Sequence, residues 1–245
     1  MAQRSGRLMT VLIAVAATAL VAATSATAAI VIGNGSSNVL TGTPQHDVML
    51  GRAGDDTIHA LAGADLIRAG RGADTVSAGR GPDRVRGGEG NDTLNGDRGW
   101  DFIRGGLGAD VIDGEGGHDF VSGGKDDDTL SGGPRGDVIF ANRGRDHEDG
   151  GDGPDRLWAL SRFDVEFIGD PNGDELSGGN GNDRFRVRDG EVDVVHCGDG
   201  YDTVLADQFD QVDNDCERTL RRDVTSLDQV DDQEENSTEN PPEDG

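Results

Sequence analysis

From Asp47 to Asp164 an aspartate recurs every nine residues without a miss: Asp47, Asp56, Asp65, Asp74, Asp83, Asp92, Asp101, Asp110, Asp119, Asp128, Asp137, Asp146, Asp155 and Asp164. A fixed short period is the mark of a stacked repeat, in which each unit packs only on its neighbours. A carboxylate at one site of every unit forms a column of like charge, and a column of like charge calls for cations. Aspartate and glycine are common turn residues. Turns alone, however, do not require an acid at one fixed place fourteen times.

Aligned on the aspartate, the other positions fall into register. Gly87-Gly88-Glu89-Gly90-Asn91-Asp92-Thr93-Leu94-Asn95 is one clean copy, and the segments starting at Gly105 and Gly178 are two more. They spell Gly-Gly-x-Gly-x-Asp-x-U-x, with U a large apolar residue. Glycine admits positive φ and lets carbonyl oxygens converge with no side chain in the way. Calcium takes six to eight hard oxygens, which carboxylates and backbone carbonyls supply. The x-U-x triplet is then a short strand with U on one face. Two repeats make a coil of eighteen residues, and alternate strands stack into two parallel sheets. The core is expected to hold Met49, Ile67, Val85, Ile103, Val121, Ile139 and Leu157 from one sheet and Ile58, Val76, Leu94, Ile112 and Leu130 from the other.

The pattern resembles the calcium-binding nonapeptide of the RTX, or haemolysin-type, family. The resemblance implies an all-β fold, a parallel β-roll that is a right-handed β-solenoid with 18 residues per coil. It also implies several calcium ions, each between turns stacked on one edge and bound by aspartates and turn carbonyls. Carried onto this chain, Asp56, Asp74, Asp92, Asp110 and Asp128 line one edge, while Asp65, Asp83, Asp101, Asp119 and Asp137 line the other. Asp47, Asp155, Asp174 and Asp183 extend the metal set, with Gly54, Gly72, Gly81, Gly90, Gly99 and Gly108 at the fourth position of their turns. The chain departs from the pattern at Ala60-Leu61, Asp126 and Arg135, and Asn38 stands as an uncharged first copy.

The bulk numbers fit a chain that needs cations. The net charge is −26 and hydrophobic residues make up 33%. Such a chain repels itself when ion-free, so binding and folding are expected to be one event. The charge also argues against a nucleic-acid partner. Arg4 and Arg7, the apolar run from Leu8 to Ala23 and the Ala26-Thr27-Ala28 pattern read as a cleaved secretory leader, residues 1–28, and place the protein outside the cell with no membrane span after cleavage. Cys197 and Cys216 are then expected to pair in an oxidising compartment, a closure worth roughly 3 kcal/mol.

The roll is assigned to residues 29–165. Glu148 and Glu166 fall at U positions, and burying an unpaired carboxylate is costly. The roll is therefore expected to loosen near residue 146. Residues 166–222 read as degenerate repeats ending in a disulfide-linked C-terminal coil that caps the solenoid, and 223–245 as an acidic disordered tail. No nucleophile elbow or His-Glu-x-x-His motif is present, so an enzyme is not expected. An extracellular polymer-modifying activity is the weaker alternative. One outward face is basic and aromatic, with Arg68, Arg84, Arg86, Phe102, Arg104 and Phe120. It suits a cell-surface or anionic-polysaccharide partner, or else an internal ladder of stacked rings.

Overall fold

The computed structural model describes residues 10–13, 20–22, 27–159 and 173–223. Among these, twelve strands form one parallel sheet and thirteen the other, and no residue is helical. Successive strands of a sheet come from alternate repeats: Leu66–Arg71 pairs with Arg84–Glu89, and that strand with Phe102–Leu107. Across the gap between sheets, Thr57–His59, Thr75–Ser77 and Thr93–Asn95 stack in the same way. Partners such as Ile67 and Val85 are eighteen residues apart, so each coil of the solenoid is two nonapeptides.

This architecture follows from the period. The U residue of each triplet points inward, and its two neighbours point out. All twelve residues assigned to the core lie at 2% exposure or less. They form two facing columns of aliphatic side chains one residue wide per strand, extended at the far end by Leu176, Phe185, Val195 and Val204.

The expected loosening at residue 146 does not occur. His147–Asp152 keeps register between Thr129–Pro134 and Glu175–Ser177, and Arg156–Trp158 stays in the opposite sheet. Glu148 sits in the core column between Leu130 and Leu176, fully buried, with neither carboxyl oxygen hydrogen-bonded. Burial, reinforced by the nearby Asp146 charge, holds its carboxyl well above the usual range. Neutralisation, which that shift favours, removes the cost of a buried charge and leaves only that of an unmet polar group. The break comes later. Asp155 and Asp183 occupy adjacent coils although 28 residues separate them, so ten extra residues enter that coil. Residues 160–172, with Asp164 and Glu166, lie outside the described residues.

Cys197 and Cys216 are joined, with Cα atoms 5.2 Å apart. The bond ties the turn after Val194–His196 to the segment leading into the last described strand, Arg218–Arg221. At the other end, two stretches of the expected leader, Thr10–Ile13 and Leu20–Ala22, run alongside Ala29–Ile32 and Val39–Thr41. The rest of 1–26 and the tail beyond 223 lie outside the described residues. No helix among the described residues is long and apolar enough to cross a membrane.

Replacing Glu148 by leucine, which matches its column neighbours, removes an unmet polar group from the core. The expected gain is about 2 kcal/mol, read as a raised denaturation midpoint in calcium at neutral pH. An unchanged or lowered midpoint would show that the carboxyl is satisfied in solution.

Candidate metal centre

Each register aspartate lies at a turn, immediately before the x-U-x triplet that begins a strand. Its backbone N–H donates to Oδ1 of the aspartate one coil further on. On one edge the ladder runs Asp47, Asp65, Asp83, Asp101, Asp119, Asp137, Asp155, Asp183, Asp202, with donor–acceptor distances of 2.6–2.8 Å. On the other it runs Asn38, Asp56, Asp74, Asp92, Asp110, Asp128, Asp146, Asp174, Asp193, at 2.7–2.8 Å. The two edges are those the sequence assigns, and the aspartates in them are at 2% exposure or less.

Oδ1 is thus occupied by a neighbouring coil, while Oδ2 is not. In Asp56, Asp65, Asp74, Asp83, Asp92, Asp101, Asp110, Asp119, Asp128, Asp137, Asp155 and Asp183 this second oxygen is buried and has no hydrogen-bond donor. Carbonyls crowd the same spot. A Cβ added to Gly132 would lie 2.8 Å from Asp137 Oδ2 and 2.8 Å from the Gly150 carbonyl, and one on Gly150 would meet Asp155 Oδ2 and the Gly178 carbonyl at 2.8 Å. Buried carboxyl oxygens without a donor, set beside backbone carbonyls, form a donor set suited to a hard cation such as calcium.

Backbone conformation keeps the turns open. Gly54, Gly72, Gly81, Gly90 and Gly108 all have positive φ, as the fourth position requires, whereas Gly99 does not. Gly99 instead pairs with Gly117 in a two-residue ribbon along that edge. The departures from the repeat keep the backbone of the glycines they replace: Leu61, Asp126 and Arg135 have φ of 82°, 75° and 91°. Arg52, Asp97, Glu115 and Asn142, at the second position of their turns, do the same.

Asp47 is different. Its Oδ2 accepts from the Thr43 N–H and hydroxyl, so the first turn is closed by its own side chain. The sequence reading omits Asp146, Asp193 and Asp202, which continue the ladders. Asp146 was in register but sat beside Glu148. The other two escape a nine-residue count because the coil length changes to nineteen residues, as between Asp183 and Asp202.

Four matches to the model of the RTX calcium-binding nonapeptide repeat cover residues 32–67, 68–102, 95–130 and 122–157. The chain belongs to that family. Its repeats form a calcium-binding β-roll. No curated protein matches the chain.

Without ions, desolvation is the main influence on these carboxyls. It raises Asp56, Asp83, Asp92, Asp119 and Asp183 to about 6, Asp65, Asp74, Asp101 and Asp137 to about 7, Asp110 and Asp155 to about 8, and Asp128 to about 9. Backbone N–H donation pulls the other way, and like charges along the ladder add to the rise in most of them. A folded-state value above the unfolded one means that the ion-free roll binds more protons than the open chain. Its stability is therefore greatest below about pH 4 and falls as pH rises through 6 to 9. Calcium must displace those protons, so its apparent affinity rises over the same window. Circular dichroism in chelator should show β structure at pH 5 that is lost by pH 9. Retention at pH 9 would mean the ladder does not govern folding.

Proposed function

We propose that this RTX protein is exported as an open, ion-free chain and folds outside the cell when calcium fills the turns of its roll. The observation that carries this reading is the column of buried, donor-free Oδ2 atoms on both edges. At neutral pH that column either stays protonated or takes up cations. The leader pattern at residues 4–28 supports export, and the cysteine pair suits an oxidising compartment. A cell interior poor in calcium would leave the chain unfolded for passage, and calcium outside would fold it. No enzymatic role is proposed.

The test is a calcium titration of the chain from Ala29 onward at pH 7.5, followed by far-ultraviolet circular dichroism with magnesium as control. A cooperative gain of β signal in calcium alone is expected at roughly 0.1–1 mM, the range of extracellular modules. A chain already folded in chelator at that pH would overturn the proposal.

A second reading concerns the basic and aromatic face of the first sheet. Arg68, Arg86 and Arg104 are direct cross-strand neighbours, as are Arg156 and Arg184. Guanidinium groups set side by side on one face offer a row of donors to an anionic partner. The aromatics take up the ladder arrangement: Phe102 stacks on Phe120 at 4.6 Å, and Phe140 on Trp158 at 4.3 Å. Arg104 lies over the Phe102 ring and Arg186 over Trp158. This face suits an anionic cell-surface polysaccharide. Replacing Arg84, Arg86 and Arg104 together by serine should lower retention on an anionic glycan column about tenfold or more, the loss of some 1.4 kcal/mol, while calcium-induced folding is kept. Equal retention would dismiss the face as a binding site.

A further inference from the structure

The outer face of the second sheet changes character toward the C-terminal end of the roll. Outward side chains on neighbouring strands stack into columns along a parallel sheet. In the regular coils the leading column runs Thr57, Thr75, Thr93, Val111 and Thr129, with no imidazole or carboxyl among them. The next two places in that column are His147 and Glu175. The following coils add His196, in register with Ser177 on the parallel column, and Asp213, just after Gln211–Val212. Imidazoles and carboxyls therefore alternate over four successive coils of one sheet.

Their contacts form a chain across the strands. Glu175 stands in the middle, with Oε2 3.7 Å from His147 Nδ1 and Oε1 3.8 Å from His196 Nε2. On the far side of the ring, His196 Nδ1 meets Asp213 Oδ2 at 2.7 Å. A proton held on Nδ1 by Asp213 leaves the lone pair of the neutral imidazole on Nε2, facing Glu175. A lone pair and a carboxylate oxygen do not attract each other, and a cation between them joins both. Around a tetrahedral zinc ion, with bonds of about 2.1 Å, neighbouring ligand atoms lie about 3.4 Å apart. Both gaps beside Glu175 are close to that spacing. The four side chains are 43–55% exposed, so the swing that brings both imidazoles onto one ion is open to them.

We propose that His147, Glu175 and His196 bind one divalent transition-metal ion of the zinc class on this outer face, with Asp213 as the positioning residue for His196. Two imidazoles and a carboxylate are a set that zinc takes, with water in the fourth place. Calcium takes hard oxygens, so this site differs from the aspartate ladders in chemistry as well as in place. The Asp213 contact is the orienting bond that a metal-bound imidazole commonly makes through its other nitrogen, where it fixes the ring and raises its basicity. As exposed ion pairs the same contacts contribute little. The ligands come from three successive strands, and His147 and Glu175 are direct partners on either side of the ten-residue insertion. An ion held there clips together the coils whose repeat is least regular, in a sheet whose neighbours otherwise meet through backbone hydrogen bonds and a single core residue per strand.

The experiment is a calorimetric titration of the full chain with zinc at pH 7.5 in saturating calcium, which keeps the ladder carboxyls occupied. One zinc ion per chain is expected, with no matching uptake of magnesium. His147→Ala and His196→Ala should each weaken binding by more than tenfold. Asp213→Asn should weaken it about tenfold, as loss of an orienting partner does, with the one-ion stoichiometry and the circular dichroism spectrum unchanged. His59→Ala, on the same face but several coils away, should leave the affinity as it was. A chain that takes up no zinc overturns the proposal, and so does one whose zinc affinity is unmoved by both histidine substitutions. Should His196→Ala disturb the neighbouring disulfide, His147→Ala makes the same comparison away from it. Zinc uptake is read on the folded chain whether or not calcium is what folds it, so failure here leaves the calcium-folded roll standing.

Discussion

The hydrogen bond from each aspartate N–H to the aspartate Oδ1 one coil further on sets the character of the whole solenoid. It fixes the turn, sets the register of the strands that follow, and buries one carboxyl per repeat. It also commits only one of that carboxyl's two oxygens. The core offers little in reserve against this, since each strand adds a single aliphatic side chain, worth about 1.5–3 kcal/mol when buried. Two ionised carboxylates stacked at a coil rise of about 4.8 Å repel by roughly 3 kcal/mol at an effective dielectric near 20. Attraction and repulsion are of equal size at every step. Protons or cations on Oδ2 therefore decide whether the chain is a roll or an open coil.

Much of this was legible in the sequence because period and chemistry point the same way. Ile67, Val85 and Ile103 recur every eighteen residues and stack as direct partners. The nine-residue aspartate column gives both edges. What escaped was governed by effects that a linear count does not carry. Glu148 reads as a break if its charge is assumed; in the core, burial favours its neutral form and the strand holds. Asp193 and Asp202 were missed because coils of nineteen residues and a ten-residue insertion shift the count while the stacking continues. Asp47 keeps the nine-residue count, yet Thr43, which stands at the second glycine position of its repeat, satisfies its carboxyl.

The tolerance of the turns has the same origin. Carbonyl oxygens of one coil lie so close under the second and fourth positions of the next that glycine is the natural occupant. Even so, Leu61, Arg135 and Asp126 hold the left-handed backbone there. Each such residue costs of order 1 kcal/mol or more. That cost is borne where coils above and below already fix the geometry, as a stacked array allows. Sequence degeneracy along the roll is therefore a poor guide to loss of structure.

Because each coil contacts only its neighbours, stability along the roll is a sum of local terms and need not be uniform. The centre, from about Asp74 to Asp119, has unbroken aliphatic columns and regular eighteen-residue coils. The stretch beyond is weaker on three counts: a carboxyl in the core at Glu148, an insertion after Ala159, and coils of unequal length. It is this weaker part that carries the disulfide, and the aromatic stack that starts at Phe102 in the regular coils runs on into it as far as Trp158. The covalent bond stands where the repeat is poorest. In a one-dimensional array, coils that cannot hold themselves by repetition are the ones that need bonds reaching beyond it.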